Sequence, residues 1–143
     1  MLITKTLLLI FFLMSFAPFQ AFSVDTKKSL KIQLYQAIDA NCDGVIDHNY
    51  VFNMPLSVLP QQCVIYKIEA QNISSNNLDN LMIKGNIPVY TQLKADSISV
   101  YKEGKLSPIF EYKSLDSRKI NIKLATLAPL KTITVFYSVV LRH

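Results

Sequence analysis

Beyond an apolar opening, apolar and polar residues alternate along the chain in short runs, the two-residue period of strands with one buried face. Leu-Lys-Ile-Gln-Leu-Tyr at 30–35 is the first such run, although residues 33–40 also admit a short helical turn. At 64–70, Val64, Tyr66, Ile68 and Ala70 fall on one face, with Lys67 and Glu69 on the other. Residues 78–83, 97–101 and 120–124 repeat the pattern, and at 132–141 Ile133, Val135, Tyr137, Val139 and Leu141 share a face. Shorter apolar pieces at 50–52 and 56–59 are cut by Pro55 and Pro60, which suits edges and turns better than a central strand. Turn clusters stand between the runs: Asn72 to Asn77, Lys84-Gly85-Asn86, and Lys102-Glu103-Gly104-Lys105, across which residues 109–112 are expected to pair back. No stretch after the opening sustains a helical period. The pattern predicts an all-β fold, an antiparallel sandwich of about seven strands.

The opening changes the picture of where this fold resides. A basic start (Met1 to Lys5), an apolar run from Thr6 to Phe19 and small residues at Ala21 and Ser23 have the order of a secretory signal peptide. The run is interrupted by Pro18 and falls short of the roughly 20 residues that span a bilayer, so no stable membrane anchor is expected after cleavage. This predicts residues 1–23 as signal peptide and residues 24–143 as one domain, periplasmic or secreted. The net charge is +5, but the lysines stand singly among apolar residues, without the clustered basic face that nucleic-acid binding uses. Solvated strand faces and protected sheet edges account for them.

An exported chain with two cysteines, Cys42 and Cys63, predicts a disulfide; two free buried thiols are the alternative. Around Cys42 lies the sharpest local signal, Asp39-Ala40-Asn41-Cys42-Asp43-Gly44-Val45-Ile46-Asp47. It matches the first nine positions of an EF-hand-type calcium loop. Asp39, Asn41, Asp43 and Asp47 supply side-chain oxygens, Val45 a backbone carbonyl, and Gly44 the turn. Position 12, where a bidentate glutamate belongs, is Tyr50, and no helix flanks the loop. The competing reading is an Asp/Asn turn whose carboxylates bond to their own backbone amides. For catalysis the sequence offers little: His48 and His143 are the two histidines, and no nucleophile or phosphate-loop motif is present. The aromatic residues mainly fill a core. Phe136 and Tyr137, being adjacent on a strand, face opposite ways.

Two segments carry a resemblance. Pro60-Gln61-Gln62-Cys63-Val64-Ile65-Tyr66-Lys67-Ile68-Glu69-Ala70-Gln71-Asn72 resembles the "proline-glycine-x-x-val-x-tyr-x-ile-x-val-x-asn" strand of a bacterial surface-protein conserved repeat, the eleventh in the series of domains of unknown function. Leu127-Ala128-Pro129-Leu130 and the strand after it resemble that family's "leu-ala-pro-gly" turn and last strand, and residues 78–88 its middle strand. Asp39 to Gly44 with Gln62-Cys63 resemble a loop some members carry. Gln61 and Leu130 stand where the family has glycine. The resemblance implies an immunoglobulin-like sandwich of a kind found in tandem in long exported proteins. The expectation is an exported, non-enzymatic structural or protein-binding module with an unidentified protein partner and no cofactor. The alternative is a calcium-binding module that uses the 39–47 loop to order a docking surface.

Overall fold

The computed structural model describes residues 29–94, 96–107, 111–116 and 118–142; the stretch read as a signal peptide, with its boundary at residue 23, lies outside them. Among the described residues there are ten strands, all paired antiparallel, and no helix. They are β1 (Leu30–Asp39), β2 (Val51–Phe52), β3 (Cys63–Asn72), β4 (Leu78–Asn86), β5 (Thr91–Leu93), β6 (Ser99–Lys102), β7 (Lys105–Leu106), β8 (Glu111–Asp116), β9 (Lys119–Leu127) and β10 (Thr132–Leu141). Seven of them, β1, β3, β4, β6, β8, β9 and β10, run four residues or longer. A large sheet has the order β2-β1-β3-β10-β6-β7, with β5 also on β10, and a smaller sheet has the order β4-β9-β8. The result is an immunoglobulin-like antiparallel sandwich.

The alternation explains the layers. β3 and β10, the central pair of the large sheet, put Val64, Ile68, Ala70, Ile133, Val135, Tyr137 and Val139 on the inner face. β4 and β9 answer with Ile83, Ile120, Ile122, Leu124 and Leu127, and both sets are buried. Tyr66 and Tyr137, opposite each other in the ladder, stack at 5.0 Å between ring centroids. The outer face of the large sheet is aromatic rather than bare. Phe52, Tyr35, Lys67 and Phe136 stand in one cross-strand row. The Lys67 ammonium lies 4.2 Å from the centre of the Tyr35 ring and 5.0 Å from that of Tyr50, a cation–π arrangement. Phe136, the outward member of the Phe136–Tyr137 pair, packs against Tyr50 and edge-on against Tyr101.

Several boundaries differ from the sequence expectation, each for a physical reason. β1 runs through to Asp39 in register with β3, so residues 33–39 form strand and not a helical turn, and Ala40 opens the loop. Lys84-Gly85-Asn86 is not a turn but the end of β4. Gly85 is needed there for space, since a Cβ would lie 2.7 Å from Ile120 Cγ1. The hairpin at Glu103-Gly104 is present, but the strand returning across it is Lys105–Leu106. Glu111 and Tyr112 pair with β9 in the other sheet. Residues 56–59 form no strand; Leu56 and Val58 pack on the core as irregular chain.

The two turns where glycine was expected keep the backbone that glycine would adopt. Leu59-Pro60-Gln61-Gln62 and Ala128-Pro129-Leu130-Lys131 each close with a bond from the fourth N–H to the first carbonyl, 3.1 and 3.2 Å. Each has proline second and a positive φ third, +71° at Gln61 and +60° at Leu130. That is a type II turn, whose third residue favours glycine. A side chain in this left-handed region costs about 1 kcal/mol or more, and the Leu130 side chain, 73% exposed, recovers little by burial. Leu130→Gly is therefore expected to raise stability by about 0.5–1 kcal/mol in urea unfolding.

Candidate functional site

The loop from Asp39 to Asp47 is built on the end of β1. Asp39 stands opposite Cys63 in the ladder and is fully buried. Three residues on, Cys42 turns back with φ +59° and joins Cys63 in a disulfide, the two Cα atoms 5.1 Å apart. Gly44 follows at φ +94°, a conformation glycine adopts without strain. The Lys94 ammonium donates to the Cys42 carbonyl and ties the loop to the chain after β5.

Within this frame the loop's oxygens face its own backbone. Asp39 Oδ1 accepts from the Asp43 amide at 3.1 Å, and Asp39 Oδ2 from the Gly44 amide at 2.8 Å. Asp43 Oδ1 accepts from the Val45 amide at 2.8 Å, while Asp43 Oδ2 accepts from Asn41 Nδ2 at 2.9 Å. Asn41 Oδ1 accepts weakly from the Asp43 amide at 3.4 Å. Asp47 Oδ2 accepts from the Ala40 amide at 2.6 Å, and the Asp47 amide donates to the Ile38 carbonyl, extending the ladder of β1. The Val45 amide, foremost, and the Asn41 carboxamide hold the Asp43 carboxyl below the usual carboxylate range.

Calcium asks for six to eight oxygens converging on one point. Here the oxygens of Asp39, Asn41, Asp43 and Asp47 that make bonds are directed at amide groups of the loop itself, Asp39 and Asn41 sharing the amide of Asp43. Tyr50, at position 12 of the motif, lies against Phe136 and Lys67 instead. Among the described residues no group of three or more His, Cys, Asp or Glu side chains is placed to hold a metal ion. This donor set fits a self-bonded turn better than an ion cage. His48 is exposed directly after the loop.

At the opposite end of the sandwich the structure reveals a polar anchor that the sequence pattern presents only as the start of a turn cluster. Asn72, the last residue of β3, is fully buried. Its Nδ2 donates to the Leu127 carbonyl at 2.9 Å and the Asn76 carbonyl at 2.7 Å. Its Oδ1 accepts from the Ser74 amide at 2.9 Å and the Ser74 hydroxyl at 2.7 Å. The backbone of Asn72 in turn brackets the type II turn, its N–H donating to the Lys131 carbonyl and its carbonyl accepting from the Leu130 amide. One carboxamide thus joins the β3–β4 and β9–β10 connections, and so the two sheets. The signal available in the sequence was its position, closing the strand motif.

No protein-family model matches the chain, and no curated protein does. Among solved structures, the chain is similar to the pilus backbone RrgB from Streptococcus pneumoniae, with a TM-score of 0.53 at 12% identity over 78% of this chain and 46% of that one. It is similar also to the full-length RrgB pilus protein from the same organism, with a TM-score of 0.53 at 13% identity over 78% of this chain and 20% of that one. The chain therefore spans less than half the length of these neighbours. At such identities the likeness is one of fold.

Proposed function

We propose that the chain is an exported, non-enzymatic structural module of the cell exterior, of the kind that builds surface assemblies with other proteins. One observation carries this reading: the polar groups at both ends of the sandwich are engaged in holding it together. Asp39, Asp43 and Asp47 close the loop at one end, and Asn72 locks the connections at the other. On this reading the 39–47 loop is a brace, fixed by the Cys42–Cys63 disulfide, and not a metal site. The fold shared with a pilus backbone protein supports it, as do a disulfide suited to an oxidising compartment and the expected signal peptide. The test is to label intact cells with an antibody against the folded domain and to size the labelled material. Surface labelling of a high-mass, protein-containing assembly is the expected result. Retention inside the cell as a free monomer would contradict the reading.

A further inference from the structure

Among the described residues, the smaller sheet leaves one strand of the large sheet partly uncovered. On the inner face of the large sheet, the cross-strand row Leu34, Ile68, Val135, Val100 is 45%, 6%, 0% and 0% exposed. The next row, Ile32, Ala70, Ile133, is 58%, 0% and 3% exposed. The cover given by the smaller sheet therefore ends at β3, and β1 overhangs it with its apolar residues in view. Residues 54–58 cover the far end of β1, where Gln36 donates to the Met54 carbonyl, and Leu30 at the near end is half-buried against the core, so the uncovered part is the middle, which holds Ile32 and Leu34. Beneath it lies the edge of the smaller sheet, where β4 pairs with β9 and, among the described residues, with no strand on its other side. Between the two is a groove of about 500 Å³, floored by Met82, Ile83 and Gly85.

We propose that this groove accepts one extended segment of a partner protein, which adds to β4 as a fourth strand of the smaller sheet. A free edge offers a row of unpaired backbone donors and acceptors, and alternate side chains of an added strand would turn toward Ile32 and Leu34. The geometry selects a single strand. Neighbouring strands lie about 4.8 Å apart, and the burial pattern ends the cover at β3, leaving the width of one strand, β1, beyond it. A second sandwich brought edge to edge with β4 would drive its own large sheet into β1, whereas a lone strand has room. Charge selects its composition. Among the groove's described lining residues Lys84 carries the one full charge, so the segment that fits has apolar residues at alternate positions and a carboxylate set against Lys84. The two open positions of β1, with the half-buried Leu30 beside them, correspond to a strand of about five residues. This inference goes beyond the structural-module reading and stands on the groove alone.

The test uses the full chain and a synthetic peptide of about seven residues, with valine alternating with threonine and one glutamate. A control peptide carries proline at its centre. Saturable binding, with slowed hydrogen exchange at β4 amides and none for the control, is expected. Ile32→Asp, at an exposed position that leaves the core intact, should weaken binding about tenfold by placing a charge on the apolar wall. Lys84→Glu should invert the preference toward a lysine-bearing peptide. No β4 protection at millimolar peptide would overturn the proposal, as would equal binding of the proline control. Protection of β4 that grows with protein concentration alone would overturn it in favour of a second copy. Displacement of the peptide by a short alkane without any β4 protection would assign the groove to a small apolar ligand and overturn it too.

Discussion

Replacing both cysteines by serine should lower the stability of the domain by about 3 kcal/mol. The Cys42–Cys63 bridge spans 21 positions in sequence, and closing a loop of that length removes conformational entropy from the unfolded chain by about that amount. In a domain of this size the melting temperature should fall by roughly 10 °C. That figure is the least expected, because the loop's own packing is lost with the bridge. Cys63 is fully buried opposite Asp39, and a loosened loop also releases the amides that Asp39 accepts. Differential scanning calorimetry of the oxidised chain, the reduced chain and the double variant checks it. Equal melting of all three would show that the loop holds without its bridge.

Asn72→Ala should cost a further 2–4 kcal/mol, the largest effect expected of any single polar substitution. The side chain satisfies the carbonyls of Leu127 and Asn76 and two donors of Ser74. Truncation leaves the buried Leu127 carbonyl without this partner, at about 1–3 kcal/mol, and removes further bonds to the half-buried Ser74 and to Asn76. Asn72→Asp separates the donor half of this role from the acceptor half. It keeps an oxygen for Ser74 but sets a carboxylate oxygen against two carbonyls, so it should destabilise at least as much as alanine does. Urea unfolding of the pair checks the claim. A mild Asn72→Asp, near wild type, would mean that the bonds to Leu127 and Asn76 contribute little.

The two strands that organise the large sheet were legible in the sequence because each has a face of unbroken alternation. Val64, Tyr66, Ile68 and Ala70 on β3, and Ile133, Val135, Tyr137 and Val139 on β10, lie as the period of two requires. That β3 sits between β1 and β10 was not legible, since it is decided by pairings between residues as far apart as Ile32, Ala70 and Ile133. Gly85 misled for a local reason. A glycine beside lysine and asparagine reads as a turn, yet here it makes room for Ile120 within a strand. Gln61 and Leu130 show the opposite case, in which the residue type hides a backbone that the neighbouring prolines still announce. In the 39–47 loop the residues and spacing serve an ion site and a self-bonded turn equally well. The bonds of Asp39, Asn41, Asp43 and Asp47 to backbone amides, on which the brace reading rests, depend on the folded directions of the side chains and not on residue type. The aromatic row of Phe52, Tyr35, Lys67 and Phe136 needed four strands in register to appear at all.

The role of that loop is the hinge between a structural module and a calcium-dependent one, and a thermal melt in millimolar calcium against a chelator examines it directly. An ion bound by the folded chain at about 100 times its dissociation constant would add roughly 2.7 kcal/mol, a shift of several degrees. With the oxygens engaged by the loop's own amides, the two melting curves should coincide. Asp43→Ala should lower both equally through the lost bond to Val45. An upward shift of several degrees in calcium, abolished by Asp43→Ala, would contradict the brace and make the loop an ion site.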